Sequence, residues 1–412
     1  MNTGDTAFVI VSAALVFIMT PGLAFFYGGL GRRKNVINNM MASVFILGLG
    51  IVLWFLVGYS LAFSGNTFGI IGSLEDAFLS SRAFDAPSPY AANLPFLVFV
   101  AFQMMFALIT PAIITGAVAG RMKFKALFIF IAAWSFLVYY PLAHMVWGTG
   151  GLLGADGLGS IDFAGGNVVH ISSGVSGLVL CLLLGRRHGY ENTSYRIHNI
   201  PFVVLGMALL WFGWFGFNAG SALAANELAG HAFMTTAVAT ASGLLAWMFI
   251  DVIRKRKPTL ISACTGVVVG LVAITPGAGF IPVWAAFIVG LTAGPVCYYG
   301  IIIIKQKLKV DDALDAFGCH GIGGIWGGLM TGIFADPAVN KVAGLCFGNP
   351  SQFFAQIGGI LASILVAVVG TVICVYVTKI FTELRVSRRD ELIGLDASQH
   401  GENAYPSFTG LD

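Results

Sequence analysis

Eleven separate runs of mainly apolar residues constrain this chain more than any other feature, because a helix needs about twenty such residues to cross a hydrocarbon core. They fall near residues 7–31, 36–63, 95–120, 125–146, 163–185, 199–219, 229–253, 259–276, 281–304, 316–335 and 353–380. The runs at 259–276 and 316–335 are short and contain glycine. The chain is 57% hydrophobic and only 10% charged, where soluble chains carry roughly 25% charge. A soluble fold would lack polar surface to cover itself; a bilayer removes that need. The 53 glycines suit membrane helices that pack through small side chains. The expected class is therefore an all-α, multi-pass membrane protein. The residues from Ser64 to Leu94, with Pro87 and Pro89, read as a long loop.

The basic residues orient the spans. Arg32, Arg33 and Lys34 follow span 1; Arg121, Lys123 and Lys125 follow span 3; Arg186, Arg187 and Arg196 follow span 5. Arg254 to Lys257 follow span 7, Lys305 to Lys309 follow span 9, and Lys379 to Arg389 close span 11. Of the 22 Lys and Arg, only Arg82 and Lys341 fall on the other side. The positive-inside rule then makes the N-terminus external and the C-terminus cytoplasmic. Met1 to Thr6 holds no Lys or Arg, so the first run reads as a retained helix rather than a signal peptide. The six cysteines form no CxxC pair and read as small buried hydrophobes, with Cys346 in an external loop. The net charge of +3 gives no nucleic-acid signal.

Two stretches repeat. DFAGGNVVH runs from Asp162 to His170 into span 5, and DALDAFGCH runs from Asp312 to His320 into span 10. Each has an aspartate eight residues before a histidine, and they lie an odd number of spans apart. The second copy is then inverted relative to the first, as in transporters whose sites lie at the midplane between repeats. The expected organisation is two inverted five-helix repeats, about 7–185 and 199–335, then helix 11 at about 353–380 and a cytoplasmic tail at 381–412. Eight helical residues rise about 12 Å, which brings both histidines toward mid-membrane. Intramembrane histidines face cavities or partners. Two in contact make a polar track and a route for protons; the alternative is a hydrogen-bonded core pair. No third ligand at suitable spacing supports a metal, and no cofactor is expected. For Asp162 and Asp312 the simplest role is a helix N-cap; direct binding of a cation by Asp162 is the alternative.

These residues resemble the Amt/MEP/Rh ammonium transporters, most closely the bacterial and archaeal Amt branch, over about residues 7–406. The likeness rests on MTPGLAFFYGG from Met19 to Gly29, Phe102-Gln103, AHMVWG from Ala143, DFAGG from Asp162, and GWFGFNAGS from Gly213 to Ser221. It continues through Asp311, Asp312, Asp315 and His320, and the tail from Gly394 to Tyr405. The resemblance implies a homotrimer with a pore through each protomer in the cell membrane. It implies recruitment of ammonium at Trp147, Ser221 and Phe106, a pore gate of Phe106 and Phe217, paired pore histidines His170 and His320, and a required aspartate at Asp162. It also implies a regulatory tail and a PII-class regulatory protein at the cytoplasmic face. Without the family, Trp147 reads as an interfacial belt residue and Phe106 and Phe217 as packing. His144, Trp211 and Trp214 keep that plain reading. The chemistry agrees. An indole face attracts a cation, and a hydroxyl accepts an N–H bond that potassium does not offer. Deprotonation would then separate ammonium from potassium, and a histidine relay would make transport electrogenic. The rival readings are an ammonium sensor, for which the tail holds no fused output domain, and a neutral gas channel. No HExxH, GxSxG or intramembrane carboxylate pair suggests an enzyme.

Overall fold

The computed structural model describes residues 1–191 and 195–406; residues 407–412, the end of the expected tail, lie outside the described residues. Long helices dominate: α1 (Thr3–Leu30), α2 (Arg33–Phe63), α3 (Phe96–Val118), α4 (Phe124–Trp147), α5 (Gly166–Leu184), α6 (Ile200–Gly220) and α7 (Glu227–Lys255). After α8 (Leu260–Ile274) and α9 (Val283–Lys307) comes α10, whose first turn Phe317–Gly321 runs on into Ile322–Phe334; α11 is Pro350–Phe381. Among the described residues, nine of these are long and apolar enough to cross a membrane. Leu260–Ile274 is a shorter apolar helix, and α10 is the other short one. Helices apolar on every side are buried in protein or in lipid. Large side chains such as Phe249, Leu361 and Leu365 are exposed here, which is what lipid contact requires.

Close packing follows from glycine at the crossings. A Cβ on Gly206 of α6 would stand 2.3 Å from the backbone nitrogen of Phe26 in α1. Nothing larger fits, and α1 and α6 form the most extensive helix pair. Around α5 and α10 pack α3, α8 and α11.

The segment expected as a plain loop is more ordered than that. It holds a small antiparallel pair, β1 (Pro87–Ser88) and β2 (Ala91–Pro95). Its anchor is Asp76, buried, which accepts from Arg82 through Nε (2.9 Å) and Nη2 (2.8 Å), from Ser64 (2.6 Å) and from Ser81. Burial alone would raise the Asp76 pKa; hydrogen bonds from Arg82, Ser64 and Ser81 outweigh it and hold it below the ordinary 3.8. A carboxyl with a depressed folded pKa contributes stability that is present above 3.8 and lost as pH falls through its folded value. Proteolysis of this segment is therefore expected to stay slow down to about pH 4 and to accelerate below it. In Asp76→Asn the acid-dependent step should vanish.

The chain after α11 folds back beneath the helices. A short helix, α12 (Arg388–Ile393), carries Glu391, which accepts from the His188 backbone N–H (2.6 Å) and from Arg385 (2.8 Å). Asp396 accepts from the Asn38 backbone N–H (2.9 Å), and Asn35 accepts from that of Leu395 (2.9 Å). The described cysteines are all free; Cys346 is exposed and the others are buried.

Candidate functional site

The two histidine-bearing helices begin alike. The Asp162 carboxylate accepts from the backbone N–H groups of Gly165 (2.8 Å), Gly166 (2.6 Å) and Asn167 (2.7 Å). The Asp312 carboxylate accepts from those of Ala316 (3.0 Å) and Phe317 (2.8 Å). Both thus cap the orphan donors of a first turn. Each cap is followed by a π-helical turn that contains the histidine, Gly166–Ile171 and Phe317–Gly321. Such wide turns re-aim a side chain at functional sites.

The helices cross where their glycines face. A Cβ on Gly174 would meet the Gly321 nitrogen at 2.2 Å, and one on Gly324 would meet the Cβ of His170 at 3.0 Å. Each glycine lies one turn beyond its own helix's histidine. The crossing brings the two imidazoles together, Nδ1 to Nδ1 at 3.2 Å. At that distance one nitrogen donates and the other accepts, so at least one ring is neutral.

Thr275, at the end of α8, orders the pair. Its hydroxyl donates to the Leu271 carbonyl (2.8 Å) and accepts from the Trp214 indole N–H (2.9 Å). With its single proton spent, Thr275 Oγ1 can only accept from His170 Nε2, 3.3 Å away. In a neutral His170 the geometry therefore puts the proton on Nε2 and leaves Nδ1 to accept from His320 Nδ1–H. Trp214 stacks on His170, centroids 5.3 Å apart and planes 21° apart. Sequence reading kept Trp214 as packing and did not mark Thr275. One threonine at a helix end carries no motif; its role exists only where three helices meet.

The aromatic residues converge above the histidines. Phe106 and Phe217 lie with centroids 4.3 Å apart, and Trp147 stands edge-on to Phe106 at 5.9 Å and 85°. Phe106 and Phe217 are almost fully buried, so no open channel passes between them. Below them a cavity of ≈ 10 Å³ is lined by apolar side chains with His170 and His320. That is about the least space one water occupies. Above them lies a cavity of ≈ 160 Å³ lined by Trp147, Ser221, Phe106, Gln103, Tyr90 and Phe163 among others. Trp147 is held by its indole N–H on the Asp162 carbonyl (2.9 Å), and Ser221 donates to the Phe217 carbonyl (2.9 Å), leaving its oxygen to accept. Tyr90, from the segment that offered no motif, lines this cavity and donates to the Phe63 carbonyl (2.8 Å). The structure thus brings together Trp147, Ser221, Phe106, Phe217, His170 and His320 along one path. It places Asp162 and Asp312 in the supports. His144 instead bonds the Ala62 carbonyl (3.1 Å) and Asn66 (3.2 Å).

The family model described as the Ammonium Transporter Family matches residues 7–405. This chain belongs to that family. The ammonium transporter of Bacillus subtilis (strain 168) is 47% identical over 98% of this chain and 99% of its own length. The crystal structure of Saccharomyces cerevisiae Mep2 superposes with a TM-score of 0.89 at 36% identity, covering 99% of this chain and 94% of Mep2. A structure titled Sensor Amt Protein superposes at 0.87 with 28% identity, covering 96% of this chain and 98% of that one. The chain is accordingly a multi-pass membrane protein of a transporter family rather than an enzyme family.

The capping geometry sets up a test of Asp162. Asp162→Ala is expected to cost about 3 kcal/mol, because buried N–H groups lose a charged acceptor; Asp162→Asn, which keeps one acceptor oxygen, should cost about half. Thermal unfolding in detergent measures both. An Asn variant as stable as the parent but unable to bind ammonium would instead make Asp162 a ligand.

Proposed function

We propose that the chain is an ammonium transporter of the cell membrane. It recruits NH₄⁺ against Trp147, Phe106 and Ser221, removes a proton there, and passes the substrate between Phe106 and Phe217 to His170 and His320. The observation that carries this reading is the order of the path: a roomy, partly polar cavity, a closed aromatic pair, then a nearly volumeless apolar cavity with one hydrogen-bonded imidazole pair. The indole face attracts a cation by about 0.5–2 kcal/mol. A hydrated ion has no room beyond it, whereas a neutral amine needs only the acceptors and donors that the imidazoles offer. Potassium cannot shed charge and stops at the gate. The proton crosses separately along the imidazoles, so net transport is electrogenic.

In the same reading, all eleven helices span the bilayer as two inverted five-helix repeats plus α11, with the N-terminus outside and the tail at 381–412 in the cytoplasm. The matched aspartate caps, π-turns and glycines of α5 and α10 support the repeat. The chain works as a homotrimer, with a PII-class protein as a partner at the cytoplasmic face. Currents from purified protein in liposomes on a solid support test the function. Ammonium pulses should give a saturable current and potassium pulses none. Ammonia flux without current, seen as an internal pH rise, would leave a neutral gas channel. The likeness to a structure titled as a sensor favours a second reading, ammonium sensing, and the absence of both current and flux would put it first.

A further inference from the structure

At the end of the path away from the aromatic cavity, a cavity of ≈ 330 Å³ opens between the α1–α2 and α5–α6 connections, α9 and the segment before α10. Its lining carries Arg32, Arg187, Arg196 and Lys305 against a single carboxylate, Asp315. Two of the four cations are compensated. Lys305 pairs with Asp315 (2.6 Å), and Arg187 grips the buried Asp311 (2.5 Å). Among the described residues, no carboxylate lies within ion-pair distance of Arg32 or Arg196. Arg32 and Arg187 both lie over the Tyr195 ring, at 3.8 and 4.2 Å. Stacking uses the face of a guanidinium and leaves its N–H edge pointing outward. The Nε and Nη2 of Arg187 are already spent on Asp311, while the guanidinium edge of Arg32 meets no hydrogen-bond acceptor among the described residues. Burial pulls the Arg32 guanidinium below its ordinary pKa and the charge of Arg187 adds to that, against the opposing pull of Tyr195, Glu391 and Asp311.

Arg32 and Arg196 thus bring two positive charges to one cavity with no carboxylate partner among the described residues. A small, doubly charged oxyanion satisfies both: its oxygens match the guanidinium edge in pairs, and its charge equals theirs. We propose that this mouth is a binding site for an anion of the phosphate class, held by Arg32 and Arg196, with Tyr195 fixing the orientation of Arg32. The proposal rests on the lining charges and not on the transport reading, and it stands whether the protein carries ammonium or senses it.

Isothermal titration of the full chain in detergent with inorganic phosphate, at ionic strength matched by chloride, tests it. Saturable binding is expected, competed by sulfate and not by chloride. Arg32→Gln and Arg196→Gln should each weaken it by about tenfold, the loss of one charge-assisted edge. Arg254→Gln, which changes a cation lining a different cavity, should leave it unchanged. If Arg32→Gln fails to fold, the exposed Arg196 still decides the matter. Repeating the titration in phosphatidylcholine vesicles with and without phosphatidic acid separates the sources. Occlusion by phosphatidic acid would make a lipid headgroup the occupant, and undiminished binding would make it the free anion. No saturable binding, or equal weakening in Arg254→Gln, would overturn the site.

Discussion

On the proposed transport reading, replacing His170 or His320 by alanine is expected to abolish ammonium-selective current, with a loss of roughly 10²-fold or more, the scale on which a positioned proton carrier acts. The reason lies in the pairing. His170 and His320 meet through a single Nδ1 contact of 3.2 Å in a space of ≈ 10 Å³. Removing one ring breaks the imidazole–imidazole hydrogen bond below the aromatic pair and leaves the other imidazole without that partner. The empty volume also admits water, and with it larger or charged species. Solid-supported-membrane currents with ammonium and potassium pulses check both effects. Thr275→Val is the milder companion. It removes the acceptor that assigns the proton of His170 while keeping the shape, so current should fall without potassium entering. Parental currents in both histidine variants would remove the relay from the mechanism.

The second large effect is expected at Gly174. A methyl group there would overlap the Gly321 backbone nitrogen at 2.2 Å, and backbone cannot swing aside as a side chain can. Overpacking costs about 1–3 kcal/mol and sometimes more, and here the strain falls on the crossing that sets the histidine spacing. Gly174→Ala should therefore lower the unfolding temperature and disturb transport together. Gly48→Ala makes the comparison, because a Cβ there meets nothing within 4 Å. Thermal unfolding in detergent, with currents from the same preparations, measures both. A stable Gly174→Ala protein with parental current would mean that α5 and α10 separate without consequence.

Several features were readable from single residues and their spacing because their physics is local. Apolar runs of bilayer length mark helices, since a chain in lipid has few other ways to satisfy its backbone. Asp162 and Asp312 announced helix starts, because a cap acts only a few residues along. Other features were not local. Thr275 assigns the tautomer of a histidine 105 residues away, and Tyr90 reaches the outer cavity from a segment that showed no pattern. Trp214 looks the same in sequence whether it packs or stacks on His170. The uncompensated guanidiniums of Arg32 and Arg196 emerge only when the carboxylates are seen to be claimed by Lys305 and Arg187.

The sequence by itself determined that this chain lives in a membrane, and it marked Asp162 and Asp312 as the caps of the helices that bear His170 and His320. Hydrophobicity, capping and periodicity act over a turn or a span, and are written in consecutive residues. The tertiary structure alone decided that the two imidazoles touch, that Phe106 and Phe217 close above them, and which basic side chains of the far cavity find a carboxylate among the described residues. Those depend on how closely glycine-bearing helices cross and on which partner each polar group finds, and neither distance nor partner is encoded in the spacing along one strand of chain.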